Sequence, residues 1–253
     1  MDWNTFIKKG YAVVQADHQD QLEELRNQIY GKAKELAGDD GEGVEPFLNN
    51  FHKRELWGTP LNYFRISMVS YLSEQMDVGK SVFNSFSESL TELLGPDVVV
   101  QKTTNLVIQQ PGDPNQVPTH RDSPLNSPFE IVVWLPLVDI YGTKGMYVLD
   151  RDQSKVALEL LQDPETGYEQ YAAYAEKEGE MLELSFGQAF LFWPGLVHAV
   201  GINTEQETRW ALNIRYKNLF SPTGAKGQAE FFKVLHLSPL ARMAMEYERE
   251  TSK

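Results

Sequence analysis

Two histidines and one aspartate have the residue types and the spacing that metal binding requires. His120 and Asp122 stand two positions apart in the segment Thr-His-Arg-Asp-Ser. Because side chains alternate between the two sides of an extended strand, both point to the same side and can bind one face of a metal ion. A third ligand has to come from elsewhere in the chain, and His198, which follows a strongly apolar run, is the candidate.

The lack of cysteine narrows the metal chemistry. With no Cys among the 253 residues, disulfides, zinc–thiolate sites and iron–sulfur clusters are excluded, and histidine and carboxylate remain as ligands. Two histidines with one carboxylate form the facial triad of non-haem Fe(II) oxygenases, which leaves three coordination positions open. A His-x-Asp segment also occurs by chance in polar loops, so this spacing alone does not decide.

An arginine lies eleven residues after His198, at the start of the largely apolar run 209–216. Inside a β-barrel, Arg209 would be unfavourable unless its guanidinium met a carboxylate. The planar fork of arginine suits bidentate binding of such a group. Arg215 has the same parity and therefore the same face, so it is an alternative. A surface arginine on an edge strand is the plainer interpretation.

The elements that would position these residues change character near residue 97. Before it, apolar residues recur at helical spacing, most clearly at 19–37, and helical signals continue through 45–95. After it, short strand-like runs are separated by Gly, Pro, Asp and Asn, which indicates an antiparallel sandwich or barrel. Within this part, 153–161 and 168–178 are predicted to be helical, and so is the tail at 228–248.

Composition and charge limit the classes of protein. Apolar residues make up 42% of the chain and aromatic residues 11%, which is enough for a buried core. The chain has no run of about 18 apolar residues and no signal-peptide pattern at its start, so we expect a cytoplasmic protein without a membrane span. The formal net charge of -13 argues against nucleic acid and anionic membranes as partners.

Several motifs, taken in order along the chain, resemble the phytanoyl-CoA-dioxygenase-like family of Fe(II)/2-oxoglutarate oxygenases. The resemblance covers roughly residues 6–218, and the ordered set of His-x-Asp, distal His and an Arg eleven residues later is more specific than any single motif. The matching positions are Phe6, 9–14 (Lys-Gly-Tyr-Ala-Val-Val), 120–122 (His-Arg-Asp), 130–137 (Glu-Ile-Val-Val-Trp-Leu-Pro-Leu), 145–148 (Gly-Met-Tyr-Val), Gly187, 192–195 (Phe-Trp-Pro-Gly), His198 and Arg209.

The resemblance implies the fold, the cofactors and the roles of the site residues. It implies a mainly β fold with helical additions, whose core is a double-stranded β-helix of the jelly-roll, cupin type. One oxygenase domain would occupy 1–253, with a helix-rich part at 1–96, the core at 97–218 including a helical insertion at 151–180, and a helical tail at 219–253. His120, Asp122 and His198 would bind Fe(II). Arg209 would bind the distal carboxylate of 2-oxoglutarate, with O2 as the oxidant.

The sequence departs from the family pattern at two places near the expected site. The family's Pro-Gly-Ser-His turn is replaced by 150–154 and the helical insertion, and the hydroxyl-bearing residue common two positions after the distal histidine is Val200 here. Another group must therefore help to bind 2-oxoglutarate. Ordinary sheet packing is the alternative role for each candidate. The candidates, on strands expected to face the pocket, are in order Asn105, Gln109, Thr103 and Trp134.

The presence of Asp122 favours hydroxylation, because halogenating relatives have a small residue at this position so that chloride can bind the metal. We expect hydroxylation, or another oxidation such as desaturation, of a C–H bond, with release of succinate and CO2. Polar and basic residues around 49–63 predict a polar small-molecule substrate, and a carbohydrate or sugar nucleotide is the specific hypothesis. The alternatives are a cupin-type metalloenzyme that does not use 2-oxoglutarate and a non-catalytic small-molecule-binding barrel.

The tail at 228–248 has more apolar side chains than a solvated helix would carry. Leaving them exposed would favour association. Either the barrel of the same chain covers them, or a second copy does so in a homodimer. These apolar residues are Phe231, Phe232, Val234, Leu235, Leu240, Met243 and Met245.

Overall fold

Helices form most of the chain before residue 97 in the computed structural model, which describes residues 2–38 and 41–251. The helix predicted at 19–37 is confirmed with the same bounds, and its residues Leu22, Leu25 and Ile29 are buried. Within the described ranges, no helix is both long and apolar enough to cross a lipid bilayer; the cytoplasmic location stays a prediction. This part contains α1 (Trp3–Lys9), β1 (Tyr11–Gln15), α2 (Gln19–Ala37), α3 (Val44–Asn49), a 3-10 helix (Phe51–Arg54), α4 (Thr59–Glu74), α5 (Val78–Ser85) and α6 (Ser87–Leu94).

Ten short strands lie after residue 97 in the described part of the chain, where the sequence predicted strand-like runs. Two helices interrupt them between β6 and β7, and the last two helices flank the final strand. The elements are β2 (Val98–Gln101), β3 (Asn105–Gln109), β4 (Val117–His120), β5 (Glu130–Pro136), β6 (Tyr147–Val148), α7 (Arg151–Leu160), α8 (Gly167–Glu178), β7 (Glu180–Met181), β8 (Gln188–Phe192), β9 (His198–Val200), β10 (Arg209–Asn218), α9 (Gln228–Phe231), β11 (Phe232–His236) and α10 (Pro239–Thr251).

The strands form two antiparallel sheets that face each other. The larger has the order β1-β8-β5-β10-β2-β11, with β3 also paired to β10, and the smaller has the order β4-β9-β6-β7. Side chains connect the two: the Tyr11 hydroxyl on β1 donates to Glu180 on β7 at 2.6 Å, and Asp122, just after β4, pairs with Arg215 on β10. The chain therefore has the double-stranded β-helix that its resemblance implied.

The N-terminal helices cover the outer face of the larger sheet. Every second residue of β10 points to them: the Trp210 indole donates to the Leu48 carbonyl, and the Tyr216 hydroxyl donates to the Gly79 carbonyl. Helix α5 approaches β2 so closely that a Cβ at Gly79 would lie 2.7 Å from a methyl of Val100. The alternate residues of β10 consequently point into the space between the sheets, where the candidate site lies.

The helical insertion predicted at 151–180 packs on the smaller sheet. Asp150 caps α7 through a capping box with Gln153. Helices α7 and α8 share a small apolar cluster with Leu149, which directly follows β6, and Val197, which directly precedes β9. The insertion therefore stabilises the sheet that carries the two histidines. The division of the chain into its predicted parts stays a prediction.

The prediction of one continuous helix at 228–248 is wrong. Residues 232–236 form β11, which pairs antiparallel with β2 and buries Phe232. Strand β2 would otherwise have one free edge, and its unpaired backbone groups gain partners from the tail. Helix α10 leaves Leu240 and Met243 largely exposed. The tail is thus covered by its own chain only in part, and the homodimer stays a prediction.

We predict that the aromatic contact between the helices and β10 is a main source of stability. Phe51 is fully buried, with its ring centroid 4.7 Å from that of Phe64 and 5.1 Å from that of Trp210. Phe51→Ala should lower the free energy of unfolding by about 3–5 kcal/mol, measured by urea denaturation. The control Phe220→Ala, at a side chain that is 72% exposed, should change it by no more than about 0.5 kcal/mol. Similar losses in both variants would contradict the prediction.

Candidate metal centre

Neighbouring strands of the smaller sheet bring the three predicted ligands together. His120 ends β4 and is the register partner of His198, which begins β9. Their ring centroids are 4.3 Å apart. With Asp122, two residues after the strand, each offers one ligand atom, and these atoms all lie within 4.8 Å of one another. The structure therefore assembles the predicted triad, and metal binding by these three residues stays a prediction.

Backbone carbonyls fix the orientation of both imidazoles. Nδ1 of His120 donates to the carbonyl of Pro118 at 2.8 Å, and Nδ1 of His198 donates to that of Leu196 at 3.0 Å. Each Nε2 is left to bind a metal. Burial, followed by the neighbouring His120, lowers the pKa of His198 to about 4, so this imidazole is neutral near pH 7. Two imidazole nitrogens and one carboxylate oxygen are a donor set that fits Fe(II).

The two oxygens of Asp122 face different partners. Oδ1 lies 3.7 Å from Nε2 of His120, whereas Oδ2 lies 2.8 Å from a guanidinium nitrogen of Arg215. Arg215 is also 3.9 Å from Glu130, whose other carboxylate oxygen accepts the backbone N–H of Ser127 at 2.8 Å. Burial raises the pKa of Glu130, and the Ser127 N–H and Arg215 lower it. Arg215 therefore orients a predicted ligand and already has carboxylate partners.

Unlike Arg215, Arg209 is buried and forms no ion pair with a carboxylate of the described residues. Its side chain donates to the carbonyls of Lys144 and Gly145, both at 3.3 Å, and its Nε has no hydrogen-bond partner. It takes part in no ion pair within the part of the chain that the structure describes. Burial lowers the pKa of Arg209 to about 10, so it remains charged near pH 7. Such a buried, unpaired guanidinium fits the carboxylate of a bound ligand.

A buried ion pair holds the turn that receives Arg209. The ammonium of Lys144 lies 2.8 Å from Glu207 and 3.4 Å from the side-chain oxygen of Asn49. Lys144 is fully buried, so losing one partner would leave an uncompensated charge. The pair therefore keeps the carbonyls of residues 144 and 145 in place beside the guanidinium.

The other candidates for 2-oxoglutarate contacts lie in different surroundings. Gln109 is the register partner of Arg209, is buried, and donates to the carbonyl of Gly201 at 2.9 Å. Asn105 on β3 and Trp134 on β5 flank the same residue of β10, Asn213; Asn105 is exposed and Trp134 is buried. All three remain candidates.

The placement of Thr103 on a pocket-facing strand is wrong. Thr103 lies in an exposed bend between β2 and β3, where its carbonyl accepts from Gln101. The chain has to shift there, because β2 and β3 pair with successive parts of the same edge of β10. Thr103 lies where the chain passes from one of these parts to the other, so it has no partner on a neighbouring strand to orient its side chain.

Three of the polar residues on which the predicted substrate polarity rests have partners within this chain. Arg54 donates to the carbonyl of Gly38 at the end of α2, and Arg65, on α4, pairs with Asp113. Asn49 is buried beside Lys144. These three side chains support the protein's own structure, and the polar character of the substrate stays a prediction.

Residues 150–154, which replace the family's Pro-Gly-Ser-His turn, help to position His198. The buried Ser154 hydroxyl accepts the backbone N–H of Val197 at 2.9 Å and donates to the carbonyl of Leu149 at 3.2 Å. Helix α7 thus holds the residue directly before His198. The insertion takes over the support of this strand where the family's turn is missing.

Sequence reasoning missed three charged residues beside the triad: Glu130, Lys217 and Lys226. Alternation along β10 could have identified Lys217, because it shares the parity of Arg209 and Arg215. Glu130 is its register partner on β5, which only the sheet pairing reveals. Lys226 lies in the segment after β10, and no periodic pattern in the sequence indicates its position.

Comparisons with known proteins place the chain in a family. The model of the family Phytanoyl-CoA dioxygenase (PhyH) matches residues 6–211. The chain therefore belongs to this family, and the predicted resemblance is confirmed. Among curated proteins, none matches the chain.

Solved structures with the same fold include non-heme oxygenases. The nickel complex of the non-heme monooxygenase ThoJ is 18% identical, with 94% of this chain and 84% of that chain covered and a TM-score of 0.53. EctD from S. alaskensis is 14% identical over 93% of this chain and 85% of its own, with a TM-score of 0.52. The non-heme alpha ketoglutarate dependent carbocyclase SnoK from nogalamycin biosynthesis is 13% identical over 89% and 86%, with a TM-score of 0.51. At these identities the likeness shows the fold.

Family membership and the His-Asp-His cluster bear out the prediction of Fe(II) with 2-oxoglutarate as co-substrate, and with it an oxygenase. We predict that His198→Ala abolishes Fe(II) binding, because the two remaining ligands cannot complete the facial triad. The measurement is the iron bound per chain after anaerobic dialysis. His18→Ala, at a histidine whose side chain makes no cap hydrogen bond, should keep the iron. Tight, stoichiometric iron in His198→Ala would refute the assignment.

Proposed function

We propose that this chain is an Fe(II)/2-oxoglutarate-dependent dioxygenase that hydroxylates a C–H bond of a polar small molecule, with release of succinate and CO2. The observation that carries the proposal is a His-Asp-His triad together with a buried arginine, Arg209, that forms no ion pair with a carboxylate of the described residues. The triad fits Fe(II), and Arg209 fits the distal carboxylate of 2-oxoglutarate. A metalloenzyme that does not use 2-oxoglutarate would have no need of such an arginine.

The residues of the chain would act by binding, orienting and excluding water. When bound, Fe(II) with 2-oxoglutarate and O2 supplies the oxidation of the C–H bond. His120 and His198 would present Nε2 because their Nδ1 atoms donate to backbone carbonyls. Arg215 would hold one oxygen of Asp122, so that the other faces the metal. The buried surroundings of Arg209 would strengthen its pairing with a carboxylate.

The opening between the sheets supports a polar substrate. His120 keeps 35% of its side-chain surface exposed, so the triad can be reached from solvent on that side. Asn105 is exposed on β3, and its register partner Asn213 is partly exposed on the same face. Two amides at an opening can donate to and accept from hydroxyl groups. A carbohydrate or sugar nucleotide remains the specific hypothesis, and desaturation remains the alternative outcome.

Arg209 provides the prediction for the co-substrate. Arg209→Leu should weaken 2-oxoglutarate binding at least about a hundredfold, because losing one partner of a buried ion pair costs about 3–5 kcal/mol. Iron binding should be unchanged, since Arg209 does not contact the triad residues. Titration of the anaerobic Fe(II) protein with 2-oxoglutarate measures both.

Arg242→Leu, at an exposed arginine of α10, is the matched control and should bind 2-oxoglutarate normally. If Arg215→Leu rather than Arg209→Leu lost 2-oxoglutarate while keeping iron, the wrong arginine would have been assigned. Equal affinity in Arg209→Leu and the control would remove the reason for assigning 2-oxoglutarate to this position.

The reaction itself is tested by succinate formation. With Fe(II), 2-oxoglutarate and O2, the protein should release succinate, and omission of any one should stop it. Addition of small molecules, followed by mass spectrometry, should reveal a product that gains 16 mass units if hydroxylation is the outcome. Loss of two mass units would indicate desaturation. No iron-dependent succinate under any condition would exclude the proposed function.

A further inference from the structure

Four cationic side chains lie on the interior face of β10 and in the segment after it, and two carboxylates interact with this set. Arg209, Arg215 and Lys217 lie on the interior face of β10, and Lys226 follows in the next segment. Asp122 and Glu130 interact with Arg215 and Lys226, whereas Asp113, which acts to raise the pKa of Arg209, is paired with Arg65 outside this set. The set therefore keeps an excess of two positive charges, in a chain whose formal net charge is -13. The excess is a local feature that the overall charge would not suggest.

The residues just before Lys226 pack against the loop that follows Asp122. The Ser127 hydroxyl donates to the carbonyl of Pro222 at 2.8 Å. Gly224 lies so close to the same loop that a Cβ would be 2.8 Å from the backbone nitrogen of Ser127. Ser127 in turn donates its N–H to Glu130 at 2.8 Å. Residues 222 and 224 are thus packed against the loop that links Asp122 to Glu130, and Lys226 follows two residues later, where both carboxylates influence its pKa.

The positive charges are not fully compensated. Burial and the nearby Arg215 lower the pKa of Lys226, although Glu130 and Asp122 act to raise it. Burial likewise lowers the pKa of Lys217, for which Glu130 is the opposing charge. Lys217 is fully buried and donates to the carbonyl of Ser221 at 2.6 Å. Lys226 is partly exposed, and among the described residues it has no ion-pair partner; its ammonium lies 4.4 Å from the centre of the Phe231 ring.

The cofactors of the proposed function would leave this excess unchanged. Fe(II) carries two positive charges and 2-oxoglutarate two negative ones, so together they add no net charge. One carboxylate of 2-oxoglutarate would pair with Arg209, and the other would lie at the metal. Lys226 would still have no carboxylate partner. The ammonium of Lys226 is therefore available to bind an anion other than 2-oxoglutarate.

We propose that the substrate carries an anionic group, a carboxylate or a phosphate, and that Lys226 binds this group at the opening beside Asp122. The proposal rests on the proposed function, because it assigns the substrate of that site. The family match ends at residue 211, so Arg215, Lys217 and Lys226 all lie in the part of the chain beyond it. Lys226 is thus a specificity-determining residue of this chain, whereas the triad and Arg209 lie within the matched part.

Hydrogen exchange of the segment 219–227 tests the proposal with inorganic phosphate and acetate as probes of the two anion chemistries. The full-length protein is loaded anaerobically with Fe(II) and 2-oxoglutarate, and each anion is titrated at an ionic strength kept constant with chloride. At least one anion should slow exchange in this segment. Slowing by phosphate alone would assign a phosphate, and slowing by acetate alone a carboxylate. No effect of either anion would overturn the proposal.

Three variants give the test its controls. Lys226→Gln should weaken the anion effect about tenfold or more, because a hydrogen bond to a charged group contributes on that scale. Lys226→Arg should retain it. Lys80→Gln, which removes an equal charge from an exposed position on α5, should behave as the unchanged protein. Equal slowing in Lys226→Gln and Lys80→Gln would overturn the role of Lys226.

The same titration of the metal-free chain separates this proposal from the proposed function. Segment 219–227 contains none of the predicted ligands of iron or 2-oxoglutarate, so an anion effect there does not depend on their binding. Succinate formation without any anion effect would leave the oxygenase standing and remove the anionic substrate. An anion effect that depends on Lys226, without succinate formation, would leave an anion site and remove the proposed oxygenase.

Discussion

Strand β10 has to satisfy two environments at once, and the site depends on how it does so. Its residues Trp210 and Tyr216 point outward into the helical layer, where their polar atoms donate to backbone carbonyls. The alternate residues Arg209, Arg215 and Lys217 point inward and bring three buried charges between the sheets. Desolvating a charge is unfavourable unless a partner compensates it. Each inward cation therefore has to be explained by what it faces.

The inward cations of β10 differ in their partners. This difference distinguishes an arginine that supports the structure of the site from one that is free to bind a ligand. Arg215 faces Asp122 and Glu130, so its charge is compensated by the chain and it orients a predicted ligand. Arg209 donates to the carbonyls of residues 144 and 145, which are partial charges, and it forms no ion pair among the described residues. An apolar residue at this position would make the fold more stable. That the chain keeps a buried, unpaired charge there indicates that function requires it. The chain itself compensates the charge of Arg215. For Arg209, by the same reasoning, the compensating carboxylate has to come from a bound ligand.

Local patterns in the sequence were sufficient to predict the candidate metal ligands and part of the fold. The period of two along a strand joins His120 to Asp122 without knowledge of any other element, and helical spacing identified α2 with its bounds. The tail was misread because the apolar residues of 228–248 allow a helix as well as a strand, and pairing with β2 decides between them. Glu130 and Lys226 could not be found in this way. Their positions beside Asp122 depend on sheet register and on the contact of Gly224 with the loop at 126–127.

The boundary of the family match divides the site into two kinds of residue. The three predicted metal ligands and Arg209 lie within residues 6–211, on elements that the smaller sheet and the turn at 142–145 hold in place. Lys217 and Lys226 lie beyond that range, as does Arg215, which supports the predicted ligand Asp122 from β10. Chemistry that many substrates share needs a constant geometry, whereas recognition of one substrate needs side chains that can differ between relatives. An uncompensated charge in the second group is therefore better explained by the substrate than by the oxidation step.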